Sequence, residues 1–220
     1  MKRALLISTI AASLLGISAS ASAGVIATES FESPVLNNGA IQYGPDEYSY
    51  NTDAVGPVSI ANFTFSGFSG IERNDSGYVT PTPFGSQEAF IQSYTDAGSQ
   101  IVWNVTGFTP GKTYVLSFDD IAFFVGAQTL DVSAFGGSAD FTPASNAAYG
   151  SNELTFEATA SSGNISFLAL TGGGNYVTGI DNLVVSSVPE PATWAMMLAG
   201  LGGLGAVMRG QRRNRAVATA

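Results

Sequence analysis

Between residues 24 and 187, apolar and polar positions alternate with a period of two over short stretches. Ile101, Trp103 and Val105 share one side of such a stretch, and Val102, Asn104 and Thr106 share the other. Tyr114, Leu116 and Phe118 repeat the pattern, as do Leu154, Phe156 and Ala158. A period of two places successive side chains on opposite faces of a strand. No stretch shows the 3.6-residue period of an amphipathic helix. The pattern predicts strands at Val25–Ser30, Ser59–Phe65, Glu88–Tyr94, Gln100–Val105, Thr113–Phe118, Gln128–Ala134, Glu153–Ala158, Asn164–Leu170 and Val177–Ser186. Gly, Pro, Asn, Ser and Asp interrupt these runs every ten residues or so, and Thr109-Pro110-Gly111-Lys112 reads as a turn. Many short strands, each with one wet and one buried face, predict an all-β antiparallel sandwich or jelly roll. Asn37–Pro57 reads as a long early loop and Gly70–Phe84 as a second irregular stretch.

The pattern changes at both ends. Lys2 and Arg3 precede an apolar run, Ala4 to Ile17, and Ala21-Ser22-Ala23 supplies small residues for cleavage. This is the layout of a secretory signal peptide, giving a leader over 1–23 and an extracellular domain over 24–187. At the other end, Pro189-Glu190-Pro191 and Trp194 lead into the uncharged segment Ala195–Met208, followed by Arg209, Arg212, Arg213 and Arg215. Tryptophan suits a membrane interface and arginine the cytoplasmic side. About fifteen apolar residues make roughly 22 Å of helix, short of a hydrocarbon core of about 30 Å, which suits an anchor held briefly and then cut. Gly200-Leu201-Gly202-Gly203-Leu204-Gly205 matches G-x-G-x-x-G, but without the flanking strand and crossover that nucleotide binding requires.

Residues 188–220, with Pro189, Glu190, Pro191, Trp194 and the arginines in order, resemble the PEP-CTERM sorting signal, also labelled an ice-binding protein C-terminal motif in some schemes. The resemblance implies a Gram-negative, exopolysaccharide-producing host and processing by an exosortase near the Pro-Glu-Pro. It further implies transient anchoring in the inner membrane, then delivery to the cell surface or extracellular matrix. It speaks of address and not of activity.

Composition narrows the chemistry of the middle. The chain has no cysteine and no histidine, which removes disulfides, thiol nucleophiles, Ser-His-Asp catalysis and the common zinc ligands. Residues 24–187 keep Arg73 and Lys112 against sixteen Asp and Glu, a net charge of about −14. Such a surface repels nucleic acid and suits divalent cations and neutral polymers.

The middle also resembles the galactose-binding-like jelly rolls of carbohydrate-binding modules. The likeness rests on Ser30-Phe31-Glu32, Gln87 to Gln92, Val105 to Phe118, Leu154 to Thr159, Ile165 to Leu168 and Gly179 to Val185, in that order. It implies a structural Ca2+ joining an early Glu to a late Asp, positions matched here by Glu32 and Asp181. The alternative is a solvated strand end at Glu32 and a self-satisfied turn at Asp181-Asn182.

Sugar binding needs rings against C–H faces and polar groups for hydroxyls. Tyr43, Tyr48 and Tyr50, with Asp46, form the candidate ligand-binding cluster; Tyr78, Tyr94 and Tyr149 lie in or near other loops. Asp119-Asp120 is the conspicuous acidic pair, but adjacent strand residues point to opposite faces, so it reads as a strand-end turn, or a contribution to ion binding, rather than a glycosidase dyad. The sequence thus predicts a non-enzymatic surface or matrix protein that associates with exopolysaccharide or a cell-surface glycan. The alternatives are a structural or adhesive protein without a saccharide site and a secreted carbohydrate-active hydrolase.

Overall fold

The structure is a computed structural model. It describes residues 23–36, 41–43, 60–74, 76, 81–93, 98–124, 126, 128–143, 148–189, 197–205 and 208–209, with backbone alone at 41–43 and Phe124. Ala23–Val188 forms one compact unit, and Pro189–Ala220 belongs to another.

Among the described residues, twelve strands build the larger unit: β1 Val25–Glu29, β2 Ile41–Tyr43, β3 Phe63–Ser66, β4 Ser69–Arg73, β5 Gln87–Ser93, β6 Gln100–Thr106, β7 Thr113–Phe124, β8 Leu130–Ala134, β9 Gly137–Phe141, β10 Gly150–Glu157, β11 Ser162–Ala169 and β12 Tyr176–Ser187. The seven-stranded sheet runs β10-β7-β12-β5-β4-β2, with β1 also on β12; the five-stranded sheet runs β3-β6-β11-β8-β9. Every pairing is antiparallel, and the chain alternates between sheets from β5 to β8 and again from β9 to β12. The fold is therefore an all-β jelly-roll sandwich. Its core lies between the layers and includes Ile101, Trp103 and Val105 from β6, Tyr114, Leu116 and Phe118 from β7, and Ile165 and Phe167 from β11. Trp103 stacks on Phe63 with centroids 5.4 Å apart, so this ring is spent on packing.

The predicted turn forms: Lys112 N–H donates to the Thr109 carbonyl at 3.2 Å, with Pro110 second and Gly111 third at φ 80°. Three strands escape the pattern. Ile41–Tyr43 interrupts the predicted early loop, and β4 takes the first residues of the predicted irregular stretch 70–84. The third, β9, follows a two-residue hairpin at Phe135-Gly136, both at positive φ (51° and 84°). A primed turn matches the strand twist but ordinarily selects Asn or Gly at its first position. Phe135 holds it because its ring stacks on Phe156 and meets Phe108 edge-on at 4.9 Å.

The largest correction concerns Asp119-Asp120. The pair lies inside β7, which runs on to Phe124, and not in a strand-end turn. Both carboxyls are buried, so the run could not be recognised by a solvent-facing polar pattern.

In the second unit, residues 197–205 are helical, within the predicted apolar segment, with Leu198, Leu201 and Leu204 exposed. Among the described residues no helix is long and apolar enough to cross a membrane. The leader residues 1–22 and Glu190, Pro191, Trp194, Arg212, Arg213 and Arg215 lie outside the described residues.

Candidate functional site

The site follows from one irregularity in β12. Before Asp181 this strand pairs with β5 on one side; after it, from Leu183, it pairs with β1 on that side, while β7 flanks it throughout. The register with β7 slips between Asp181 and Val184, and Asn182 takes φ 53°. A bulge of this kind re-aims side chains, and asparagine tolerates the left-handed conformation better than most residues. The switch leaves the end of β1 facing the start of β5, and acidic groups collect at that junction.

Glu32 lies just beyond β1. Its Oε1 accepts from Ser86 N at 2.7 Å and Gln87 N at 2.9 Å, and its Oε2 from Ser86 Oγ at 2.7 Å. Partial burial opposes ionisation, but these bonds and the Arg73 charge together hold its pKa below the usual carboxylate value. Gln87 completes the clasp, donating to the carbonyls of Phe31 and Pro34. Asp181 is fully buried; its Oδ2 accepts from Thr82 Oγ1 at 2.5 Å and its Oδ1 from Asn182 N at 2.6 Å. Burial raises its pKa to about 6, against the Thr82 and Asn182 bonds and with the charges of Glu32 and Asp119 adding. The structure thus brings Glu32 and Asp181 into one electrostatic neighbourhood, both bonded to the segment 82–87. Among the described residues no three carboxylates gather as a metal-holding group.

Next to them lie two acids that the sequence pattern did not single out. Glu72 on β4 and Glu88 on β5 are direct cross-strand partners, and both are fully buried. Glu88 accepts from the Tyr149 hydroxyl. Its pKa rises to about 8 through burial, which the Tyr149 bond opposes and the Asp181 charge reinforces. Burial, then the Glu88 charge, lifts Glu72 well above its usual value. Among the described residues, one oxygen of each, Oε1, has no hydrogen-bond partner. Gly179 makes the space for Glu88: a Cβ there would stand 2.1 Å from Glu88 Oε2 and 2.8 Å from the Phe123 ring.

These groups share the outer face of the seven-stranded sheet with a second apolar cluster of Phe90, Ile121, Phe123 and Val177, against which Tyr149 packs. The segment 81–86 covers them. Asn74 ties it down, donating to the carbonyls of Thr82 and Gly85 and accepting from Thr82 N at 2.8 Å. Phe84 stands at its rim, 39% exposed, edge-on to Tyr149 with centroids 5.9 Å apart. Phe84 was absent from the predicted set because it follows proline in a stretch with no pattern; only its isolation as an aromatic between Pro83 and Gly85 marks it.

Asp119 and Asp120 point to opposite faces, as strand geometry demands. Asp119 faces outward, accepting from Asn182 Nδ2 at 2.7 Å and from Ser151. Asp120 faces the interior, where burial raises its pKa to about 6. Tyr48, Tyr50 and Asp46 lie outside the described residues, as do Tyr78 and Tyr94. The backbone of Tyr43 lies in β2, in register with Gly70 and, one strand further, Phe90.

Comparison with known proteins decides the tail. The chain carries a PEP-CTERM protein-sorting motif at residues 187–213. This sorting motif implies an exported protein processed by an exosortase, with a transient membrane anchor. No curated protein matches the chain in sequence. Among solved structures, the CBM22-1 xylan-binding domain from Paenibacillus barcinonensis is similar at TM-score 0.49 and 9% identity, over 77% of this chain and 97% of that one. A family 35 carbohydrate binding module from Clostridium thermocellum is similar at TM-score 0.39 and 16% identity, over 56% and 87%. The enzymatically active domain of bacteriophage CBA120 tailspike protein 4 is similar at TM-score 0.44 and 16% identity, over 59% of this chain; the chain spans 20% of that protein's length.

Proposed function

We propose that this is a non-enzymatic protein of the cell surface or extracellular matrix. In this reading its sandwich associates with polysaccharide at the outer face of the seven-stranded sheet. The observation that carries the reading is the exposed Phe84 ring set edge-on to Tyr149, whose hydroxyl is fixed by buried Glu88. A ring with one free face and a bonded phenol beside it offer a sugar both an apolar platform and fixed polar atoms. The register that links Tyr43 to Gly70 and Phe90 supports counting Tyr43 among the contacts, and the reading extends to its predicted companions Tyr48 and Tyr50.

Calcium belongs to the same reading. Glu32 and Asp181 are hard oxygen ligands of the kind Ca2+ selects, and both already face the segment that bears Phe84. An ion drawing on them would hold that segment in a chain without disulfides.

The test is binding of the full chain, kept in mild detergent, to a glycan panel that includes the host's exopolysaccharide, with calcium and with chelator. Saturable binding that Phe84→Ala weakens at least about tenfold supports the reading. Loss of binding in chelator supports calcium. A folded chain that binds no glycan is instead structural or adhesive.

A further inference from the structure

The proposed saccharide site is rich in acidic groups. Five carboxyl groups (Glu32, Glu72, Glu88, Asp119 and Asp181) surround it. The Arg73 guanidinium donates to the Leu36 carbonyl at 3.1 Å and its charge also acts on Glu32. Among these acids Glu88 is distinctive. It is fully buried, bonds the Tyr149 hydroxyl, and among the described residues leaves Oε1 without a partner, as its neighbour Glu72 does. Burial keeps Glu88 protonated at neutral pH; an ammonium that reaches it favours the carboxylate, so binding releases the Glu88 proton to solvent and fills the open Oε1 position.

We propose that the site selects a glycan bearing free, protonated amines, with the ammonium group of an amino sugar seated on Glu88; this rests on the saccharide-binding reading above. An ammonium has three donors. It can take the place of the Tyr149 hydroxyl on Glu88 Oε2 and add Oε1, while the sugar's apolar side lies on Phe84. Gly179 keeps the floor beneath Glu88 free of a side chain. A metal ion is the other cation that buried carboxylates attract. It asks for six to eight oxygens, and the calcium proposed above draws on Glu32 and Asp181, whereas an ammonium is served by Glu88 alone. Anionic sugars are disfavoured by the same charges, within a domain whose net charge is about −14.

The test compares affinities of the full chain for a glucosamine oligomer, its N-acetylated counterpart and a galacturonate oligomer, all by titration calorimetry at fixed ionic strength. The expected result is at least about tenfold tighter binding of the free-amine oligomer than of the N-acetylated one, and none of the uronate. Glu88→Gln brings that ratio toward one. Asp131→Asn, on the other sheet, removes a charge of the same sign and leaves the ratio unchanged; Glu72→Gln provides a second probe should Glu88→Gln fail to fold. Equal affinity for amine and N-acetyl oligomers overturns the proposal, as does a preference that survives Glu88→Gln. Calcium alone that binds through Glu88 and displaces the amine also overturns it, in favour of a metal. Binding of the N-acetylated oligomer through Phe84 without an amine preference leaves the saccharide reading intact and sinks only this inference. Failure to bind any oligomer removes both.

Discussion

The two outer faces of the sandwich obey different rules. On the five-stranded sheet, β6 and β11 alternate strictly, and Asn104, Asn164 and Ser166 meet solvent. Asn104 Nδ2 donates to Asn164 Oδ1 at 2.9 Å, and Gln100 Nε2 to Ser166 Oγ at 2.7 Å. A shallow groove of about 340 Å³ there is lined by Asp131, Ser133, Ser138, Asn164 and Ser166. On the seven-stranded sheet, all seven residues of β5 are buried. Its outer side carries Glu88 and Phe90 under the 81–86 segment, where the opposite sheet carries small polar groups in water. An antiparallel sheet normally keeps one face wet. Burying both faces of β5 creates a second, smaller core with charged groups inside it, and such groups are kept where they do something.

The sharpest way to break this contrast is to truncate one residue on each outer face. Phe90→Ala removes a fully buried ring from the second cluster and should cost about 3–5 kcal/mol. Val102→Ala, at the equivalent outward position on β6, should fall within about 0.5 kcal/mol of the parent. Urea denaturation measures both. Similar losses at the two sites would mean that the outer faces do not differ as described.

Acid–base behaviour sharpens the comparison next. Glu72 and Glu88 have folded pKa values raised above 4.5, and Asp120 and Asp181 above 3.8. The folded chain therefore holds protons that the unfolded chain has released. Stability from this source is fully present below the unfolded values and is lost as pH rises through the folded ones. All four groups act up to about 6, and Glu88 continues the loss toward about 8; Glu72 adds in the same direction. Glu32 acts the other way: its lowered pKa stabilises above 4.5, and that contribution is lost in stronger acid. Between pH 6 and 8 the parent should lose roughly 2 kcal/mol, and Glu88→Gln should flatten that slope. A denaturation midpoint that is level from pH 4.5 to 8 would refute buried protonated acids on this face.

The same contrast explains what could be read in the sequence. Nine strands, the core positions of β6, β7 and β10, and the turn at Pro110-Gly111 are local features, visible as period-two patterns and turn residues. Glu32 and Asp181 could be named because the resemblance to galactose-binding-like jelly rolls implies an early Glu and a late Asp, which chain order matches here. Glu72 and Glu88 could not. In Gln87-Glu88-Ala89-Phe90 a glutamate beside apolar residues reads as the wet side of a strand, and only the covering segment 81–86 changes that. The covering depends on Asn74, Glu32 and Asp181 acting at sequence separations of 8, 54 and 99 residues. Phe135 is the mirror case, where distant packing allows a turn that its own residue type disfavours.

Gly179 tests whether Glu88 is held where it is by design of the strand. Gly179→Ala places a methyl against the Glu88 carboxylate and the Phe123 ring, and should cost about 1–3 kcal/mol. Combined with Glu88→Ala, the two losses should fail to add by at least about 0.5 kcal/mol, because the second change removes the obstacle. Additive losses would mean that Phe123 alone sets the limit.

The smallest expected effect lies on the wet face and is informative for being small. Asn104 and Asn164 pair side chain to side chain across β6 and β11, and are direct cross-strand partners as Glu72 and Glu88 are on the other sheet. Water competes for every donor and acceptor of the amide pair, so its net contribution is the low end of the range for hydrogen bonds. Asn104→Ala should change stability by less than about 0.5 kcal/mol and leave glycan affinity unaltered. The cross-strand partners on the two faces then differ by burial alone: one pair is exchanged freely with solvent, and the other is cut off from it by a segment that the whole fold must assemble. A loss above about 1 kcal/mol at Asn104, or any loss of glycan affinity, would move the functional face to the five-stranded sheet and its shallow groove.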